Sequence, residues 1–188
     1  ERQKLNMKRG LEQMMGDVLD AVLSIFHCDR AWVTYPCEPD TAWWRVVMER
    51  TRAECPGASA WERAAPCADT VAPQDLPMEP QFTEVFRAVR AVDGPVQWGP
   101  GGQPVSGPTA ERFRVQSLLA IALYPKVDRP YLFGLHQCAY PRVWTPQEER
   151  LFQEIGRRLA DALSGLLMFR SLRESGRRLD EAQRIAHV

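Results

Sequence analysis

Cysteine and histidine are the residue types best suited to nucleophilic, redox or metal chemistry, and this 188-residue chain has few of them. The histidines and cysteines are His27, His136, His187, Cys28, Cys37, Cys55, Cys67 and Cys138. The sequence contains no Cys-x-x-Cys pair, and no histidine stands at zinc-ligand spacing from a cysteine. An odd number of cysteines without such pairing is typical of reduced thiols. Three scattered histidines also form no nucleophile–base grouping, so we predict neither catalytic residues nor a metal site.

His136 is the histidine for which a ligand-binding role can be argued. It falls inside a predicted strand, where alternation places Gly134, His136 and Cys138 on one face of the sheet. A histidine lining a pocket could coordinate a haem or an iron, or hydrogen-bond an anionic ligand. The alternative, which we favour, is a histidine that is simply hydrogen-bonded under the sheet.

The pattern of apolar residues predicts the elements that position these side chains. Apolar residues at helical spacing predict helices over 3–27, 82–89 and 145–186. Runs of β-branched and aromatic residues predict strands over 29–35, 43–50, 95–98, 115–124 and 131–138. Residues 55–80 and 99–108 are rich in proline and glycine, which indicates loops.

Neighbouring strands flanked by helices favour an α+β domain built on an antiparallel sheet of about five or six strands. We expect the N- and C-terminal helices to cover one face of this sheet. Residues 55–110 would then cover the other face and leave a pocket beneath them, because long segments over a rigid scaffold commonly bind ligands. The candidate pocket residues are Trp61, Phe82, Phe86, Trp98, His136 and Cys138. For Trp61 and Trp98, the alternative is that these loop residues fold down onto the domain and close its core without contacting a ligand.

The predicted C-terminal helix is far longer than the globular mean of about 11–12 residues. Its distal half therefore has nothing in its own domain to pack against, and we predict a homodimer through the terminal helices, parallel or antiparallel. The apolar positions assigned to this dimer and linker helix are Leu159, Ala162, Leu166, Phe169, Leu172, Leu179 and Ala182. Acidic residues alternate with the arginines of this helix, which is typical of a solvated helix face.

The overall charge argues against two classes of partner. The chain has 24 Lys and Arg residues and 24 Asp and Glu residues, so its formal net charge is zero and no global field attracts nucleic acid or an anionic membrane. No apolar run approaches the roughly 20 residues of a membrane span, and the N-terminal residues do not resemble a signal peptide. We therefore predict a cytoplasmic protein without nucleic-acid or membrane contact.

Two segments carry a resemblance to a known family. The motif Leu-Phe-Gly-Leu at 132–135, and the segment 141–149 with the leucines that follow it, resemble the end of a GAF domain. The helix–strand–strand order at the front also matches, so the resemblance covers roughly residues 8–170. It implies the GAF fold and a role as an input or dimerisation module of a signalling protein.

A second resemblance covers residues 172–188, which look like the linker and first residues of a PAS domain in bacterial sensor histidine kinases. The domain organisation implied is a GAF-like sensory domain over 1–170 and a helical linker over 171–188, leading into a PAS-like domain. On this interpretation the chain is a fragment of a sensor histidine kinase in a two-component system or, as the alternative, of a diguanylate cyclase.

The resemblance leaves the ligand unknown. Bilin-binding GAF domains attach their chromophore to a thiol beside a histidine, and the Cys-His pair is missing here because Cys55 and Cys67 have no neighbouring histidine. We therefore expect that no cofactor is required and argue against a bilin or a haem. Two alternatives stay open: a chromophore- or haem-binding photosensor or redox sensor, and a small-molecule thiol enzyme that uses Cys67 or Cys138.

Overall fold

A computed structural model describes residues 2–52 and 75–186. The helices are α1 (Arg2–Phe26), α2 (Pro80–Arg90), α3 (Gly107–Phe113) and α4 (Pro146–Ala186). The strands are β1 (Arg30–Tyr35), β2 (Trp43–Thr51), β3 (Leu76–Pro77), β4 (Val96–Trp98), β5 (Ser117–Leu123) and β6 (Tyr131–Gln137). Within these residues, neither α1 nor α4 nor any shorter helix combines the length and the apolar character that a bilayer span requires.

The strands form one six-stranded sheet in the order β3-β2-β1-β6-β5-β4. All neighbouring strands are antiparallel, and β1, β6 and β5 are central. Arg30 in β1 lies opposite His136 in β6, and β1 and β2 are offset by a bulge between Val33 and Thr34. The predicted α+β class, with five or six antiparallel strands, is confirmed.

The terminal helices cover one face of the sheet, which we call the helix face. Helices α1 and α4 are antiparallel, since Phe26 contacts Phe152 while Glu12, half a helix earlier, pairs with Arg170 at 3.7 Å. Phe133 of β6 stacks on Phe152 with ring centroids 4.5 Å apart. Alternation along β1, β5 and β6 supplies the sheet side of this core, so the helix face is closed by apolar contacts.

Helix α4 begins at a capping box. The Thr145 hydroxyl accepts from the Glu148 amide, and the Glu148 carboxylate accepts from the Thr145 amide, both at 3.1 Å. The Arg142 side chain donates to the last carbonyl of α1, to Gln137 and to Glu148. These bonds tie the start of α4 to the end of α1 and the end of β6.

The structure corrects part of the predicted dimer stripe. Leu159, Ala162, Leu166 and Phe169 are buried within the chain itself. These residues lie on the side of α4 that packs against the sheet and α1. They are therefore not available to a partner. Leu172, Leu179 and Ala182 are exposed. Of the residues assigned to the stripe, these three keep the exposed apolar surface that the sequence predicted for all seven.

The opposite face of the sheet, which we call the cavity face, is covered by α2 and α3. Phe82, Phe86 and Val89 of α2 point to the sheet, together with Phe113 of α3. Helix α3 was not predicted, because the residues before it read as a flexible connector. Ser106 initiates it by accepting a hydrogen bond from the Thr109 amide at 3.2 Å.

Candidate functional site

A cavity of about 70 Å³ lies between the cavity face and helices α2 and α3. Its walls are mostly apolar. The aromatic lining residues are Trp32, Trp44, Phe82, Phe86 and Phe113. The aliphatic ones are Val46, Val85, Leu118 and Leu132. The polar ones are Thr34, Glu49, Thr109 and His136. Four strands and two helices therefore contribute to one site.

The aromatic rings around the cavity form a continuous series of contacts. Phe82 lies 5.0 Å from Trp44 and 5.9 Å from Phe113, measured between ring centroids. Phe113 is stacked on His136 at 6.3 Å, and Trp32 lies 5.2 Å from the same imidazole. Rings at these separations present both faces and edges to the cavity, which suits a flat, conjugated molecule.

Gly134 sets the position of Trp32. A Cβ at residue 134 would lie 2.1 Å from the Trp32 ring, a distance that no side chain tolerates. Because Gly134 has no side chain, the Trp32 indole can lie across β6 at this position. The bare backbone of Gly134 is part of what builds the cavity floor.

Several buried polar atoms on this face have no hydrogen-bond partner among residues 2–52 and 75–186. They include the indole Nε1 atoms of Trp32 and Trp44 and the hydroxyl of Thr34, all on residues that line the cavity. Buried polar groups normally have partners, and each one left without a partner costs about 1–3 kcal/mol. Most of these atoms belong to residues that line one cavity, so the polar cost of this face is concentrated there.

Arg30 adds a positive charge next to this site. It lies on the cavity face, two residues before Trp32, and is fully buried. Its Nη1 lies 3.3 Å from Nδ1 of His136, whereas its Nε and Nη2 have no partner in the part of the chain that the structure describes. Because a guanidinium can only donate, Nδ1 of His136 must accept, so the imidazole proton is on Nε2. Burial, and then the charge of Arg30, lower the pKa of His136 well below its usual value, so this imidazole is neutral at pH 7.

The thiols that the structure describes are away from the cavity. Cys28 and Cys37 are buried, and burial raises the pKa of each to about 12, which makes them poor nucleophiles. Cys138 is half-buried, and its backbone amide donates to Asp29 at 2.7 Å. None of the three lines the cavity. Within residues 2–52 and 75–186, no cluster of His, Cys, Asp and Glu side chains is arranged to hold a metal ion.

Comparison with known families decides the classification. The sequence model of the family described as "GAF domain" matches residues 10–163, most of the chain. The chain belongs to the GAF domain family. GAF domains are regulatory modules of signalling type rather than catalytic ones, in agreement with the coarse function predicted from the sequence. No curated protein sequence matches the chain.

Solved structures support the same fold. The GAF domain is similar to GAF3 of Slr1393 from Synechocystis sp. PCC6803 in its photoproduct state, with a TM-score of 0.64 and 16% identity over 86% of this chain and 98% of the other. It is similar to the blue-light absorbing form of the Thermosynechococcus elongatus PixJ GAF domain, with a TM-score of 0.62 and 17% identity over 93% and 95%. It is also similar to the phycocyanobilin-bound GAF domain from a cyanobacterial phytochrome, with a TM-score of 0.60 and 15% identity over 89% of this chain and 93% of the other.

These comparisons correct the cofactor prediction. The sequence argued against a bilin because no Cys-His pair is present, yet one of these similar structures is described as phycocyanobilin-bound. The missing dipeptide is therefore not sufficient to argue against a bilin, because the chain shares its fold with a domain described as phycocyanobilin-bound. The described residues suit a conjugated group in character, with aromatic walls and a neutral imidazole, although no described thiol lines the cavity.

The predicted pocket residues are distributed unevenly. Phe82, Phe86 and His136 line the cavity, Trp98 is buried beside it in the same apolar cluster, and Cys138 does not line it. Trp61 lies outside the described residues, as do Cys55 and Cys67. Sequence reasoning missed Arg30, Trp32 and Thr34. The signal for them was present, because these residues alternate with Ala31 and Val33 along β1 and so share one face.

Proposed function

We propose that this GAF domain is a sensory module that binds a small, largely apolar molecule in the cavity and transmits its occupancy through α4. The observation that carries the proposal is the aromatic cavity, several of whose lining residues bury polar atoms that have no partner among the described residues. A domain that only supported its neighbours would gain stability by filling this space. The cavity is instead maintained by Gly134 and by rings that leave room between them.

Strand β4 provides a physical connection from the cavity face to α4. Trp98 is buried in the apolar cluster under α2. Its neighbour Gln97 faces the opposite way and donates to the Trp144 carbonyl at 2.9 Å and to the Glu149 carboxylate at 2.7 Å, while its oxygen accepts from the Trp144 amide at 3.0 Å. A shift of β4 caused by a ligand would therefore move the first turn of α4. Packed interfaces of this kind respond by small rigid displacements.

A variant that fills the cavity tests this connection without any ligand. Val85→Trp adds a large ring from the half-buried side of α2, whereas Glu84→Trp adds the same ring on the exposed side of that helix. We expect Val85→Trp to change the hydrogen exchange rates of the amides in the first three turns of α4 at least threefold. Glu84→Trp should leave them as in the wild type. Unchanged α4 exchange in a folded Val85→Trp protein would refute the relay.

We further propose that the domain is a homodimer through its helices, acting in the cytoplasm within a larger signalling protein that carries a PAS-like module and a kinase or cyclase output. The distal part of α4 supports the dimer, because Leu172, Leu179 and Ile185 are largely exposed. Leu172 and Leu179 are one heptad apart, so they share a helix face. A second copy of this chain is the partner that would bury them.

Sedimentation equilibrium tests the dimer. The double variant Leu172→Glu, Leu179→Glu should be monomeric where the wild type is dimeric. Leu151→Glu introduces the same charge on an exposed residue at the other end of α4 and should leave the dimer intact. None of the three positions is buried, so the free energy of unfolding should change by no more than about 0.5 kcal/mol per substitution. A wild-type protein that stays monomeric at high concentration would contradict this part of the proposal.

A bilin chromophore is the second candidate, favoured by the similarity to a GAF domain described as phycocyanobilin-bound. The cavity of about 70 Å³ has room for about five water molecules, at roughly 10–15 Å³ each, so a tetrapyrrole requires α2 to move outward. The test is visible absorbance of the protein purified from cells that supply phycocyanobilin. Bound pigment that is lost in Val85→Trp and kept in Glu84→Trp would support this candidate, and colourless wild-type protein would refute it.

A further inference from the structure

The apolar side chains of distal α4 lie on the opposite side of the helix from those that pack in the core. Leu163 is buried in the core of the helix face. Leu172 follows it by nine residues, which is about two and a half turns at about 3.6 residues per turn, so the two side chains point in opposite directions. Leu179 lies one heptad after Leu172 and shares its side. Leu172 and Leu179 are 73% and 66% exposed, so the described part of the chain leaves both largely uncovered.

The apolar stripe that packs in the core does not continue to the end of α4. Leu159 and Leu166 are one heptad apart, and both are buried. The next two positions of the same register are Arg173 and Asp180, which are charged. Charged side chains do not extend an apolar core, so distal α4 is not built to pack on its own domain. Its apolar side needs a separate partner.

The exposed side of distal α4 carries a narrow, mostly apolar stripe, which we call the outer stripe. Its residues recur in alternating steps of four and three, and they are Met168, Leu172, Ser175, Leu179, Ala182 and Ala186. The flanking residues are Ser171, Arg178 and Ile185 on one side and Gly176 and Gln183 on the other. A helix that lies on a bilayer presents a wide face of bulky apolar residues, whereas a narrow seam with this repeat is typical of a coiled coil.

We propose that the outer stripe pairs with the same stripe of a second copy of this chain, in a parallel and in-register two-stranded coiled coil. This inference rests on the proposed function, because it assigns the orientation and the contact surface of the proposed dimer. Leu172 and Leu179 are then a positions, so each leucine contacts its own equivalent in the second copy. The two α4 helices leave the dimer side by side and in the same direction, so both copies transmit a displacement of α4 to the same end.

Arg178 favours the parallel orientation. It is a g position, and in a parallel pair a g residue lies beside the e residue five positions later in the other helix, here Gln183. An antiparallel pair that keeps the whole outer stripe in contact places Leu172 on Ala182 of the second copy and Arg178 beside the same arginine. Two like charges placed side by side oppose association. A shift of one heptad separates the arginines but leaves both ends of the outer stripe uncovered.

Disulfide cross-linking of the full chain tests the orientation. Leu172→Cys and Leu179→Cys each place a thiol on the outer stripe, and Glu174→Cys places one on an exposed position outside it as the control. The five native cysteines are common to all three variants, so they give the same background. Under mild oxidation, both stripe variants should form at least fivefold more covalent dimer than Glu174→Cys. In an antiparallel dimer, two positions one heptad apart cannot both meet their own equivalents, so cross-linking of only one stripe variant would overturn the inference.

A mixture of Leu172→Cys and Ala182→Cys measures the antiparallel alternative directly. After oxidation, peptide mapping by mass spectrometry should find disulfides that join equivalent positions, 172 to 172 and 182 to 182. Links between 172 and 182 should be at least tenfold rarer. A majority of links between 172 and 182 would show that the helices are antiparallel.

The charge at position 183 gives a test that needs no new cysteine. In the parallel pair, Gln183→Glu places a carboxylate beside Arg178 of the second copy, and Gln183→Lys places an ammonium group there. We expect the dimer Kd of Gln183→Glu to be at least threefold lower than that of Gln183→Lys, because opposite charges attract across the seam. In the antiparallel pair, residue 183 lies beside Phe169 of the second copy. Equal Kd values by sedimentation equilibrium would therefore overturn the parallel orientation.

Sedimentation of the wild type separates this inference from the proposed function. A dimeric wild type in which neither leucine variant cross-links would keep the proposed dimer and reject the outer stripe as its contact surface. A monomeric wild type would reject both. A monomeric wild type that also co-sediments with phosphatidylglycerol vesicles would assign the outer stripe to a membrane surface instead.

Discussion

The two faces of the sheet differ in how completely their buried space is filled and in how many buried polar atoms are hydrogen-bonded. On the helix face, apolar side chains from α1, α4 and the strands fill the space between them, and the buried Ser164 hydroxyl both donates to the Ala160 carbonyl and accepts from the Lys126 amide. On the cavity face, the rings border open volume, and Trp32, Thr34 and Trp44 bury polar atoms that have no partner within residues 2–52 and 75–186. Trp144 is the exception on the helix-face side, because its indole nitrogen also lacks a partner in the part of the chain that the structure describes.

This difference separates packing from binding within one domain. The same three strands contribute to both faces. Because side chains alternate along β1, β5 and β6, one side chain packs in the helix-face core and the next lies on the cavity face. Packing on the helix face stabilises the sheet. The free-energy cost of open space and unsatisfied donors on the cavity face can then be tolerated, whereas an isolated element could not bear it. Substitutions of the same type on the two faces should therefore have different effects.

The largest difference is expected for phenylalanine truncation. Phe133→Ala removes a fully buried ring stacked on Phe152 and should cost about 3–5 kcal/mol of unfolding free energy. Phe82→Ala removes a ring that already borders open space, so it loses fewer contacts and should cost about 1–2 kcal/mol less. Chemical denaturation of the two variants measures the difference. Equal costs would show that the cavity face is packed as tightly as the helix face.

A methyl group added to Gly134 should have the next largest effect. The new Cβ would overlap the Trp32 ring, so Gly134→Ala should cost about 1–3 kcal/mol and disturb the cavity floor. Gly176 is the matched control, since nothing lies within 4 Å of a Cβ built there on exposed α4. Gly176→Ala should stabilise the protein by about 0.5–1 kcal/mol through helix propensity. Thermal denaturation that shows the same sign for both would contradict the role assigned to Gly134.

The neutral imidazole on the cavity face predicts a dependence on pH. The pKa of folded His136 lies below its ordinary value of 6.5, so below pH 6.5 the unfolded chain binds the proton first. Stability must therefore fall as the pH falls, by about 1 kcal/mol between pH 6.5 and 5.5. Arg30, the charged group beside the imidazole, is the same in His136→Gln, so that variant should lack this loss while keeping the rest of the pH profile. An identical slope in both proteins would show that His136 is not held neutral.

Sequence patterns predicted most of the architecture, because period and alternation are local signals. The strands at 43–50 and 131–138 and the helix at 82–89 lie within one or two residues of β2, β6 and α2. Helix α3 was missed because Gly107 and Pro108 look like loop residues, although proline suits the first turn of a helix. The two-residue β3 is too short to carry any pattern.

The site was less accessible to sequence reasoning because it depends on which neighbour each side chain meets. Arg30 is a residue type that is usually exposed, so nothing in its identity indicates full burial beside His136. Leu159 and Leu166 show the converse problem. Their helical spacing fits a dimer interface and an internal core equally well, and only the antiparallel packing of α1 decides for the core.

The smallest expected effect is the sharpest comparison of the two faces, because it uses hydroxyl groups that differ only in their partners. Ser164→Ala leaves the Lys126 amide without its acceptor and should cost about 1 kcal/mol. Thr34→Val removes a buried hydroxyl that has no partner among the residues that the structure describes and keeps the shape of the side chain, so it should change stability by no more than about 0.5 kcal/mol. If denaturation showed the two substitutions to be equally costly, the Thr34 hydroxyl would have a partner in solution. The donors around the cavity would then be satisfied without a ligand, and the distinction between a packing face and a binding face would fail.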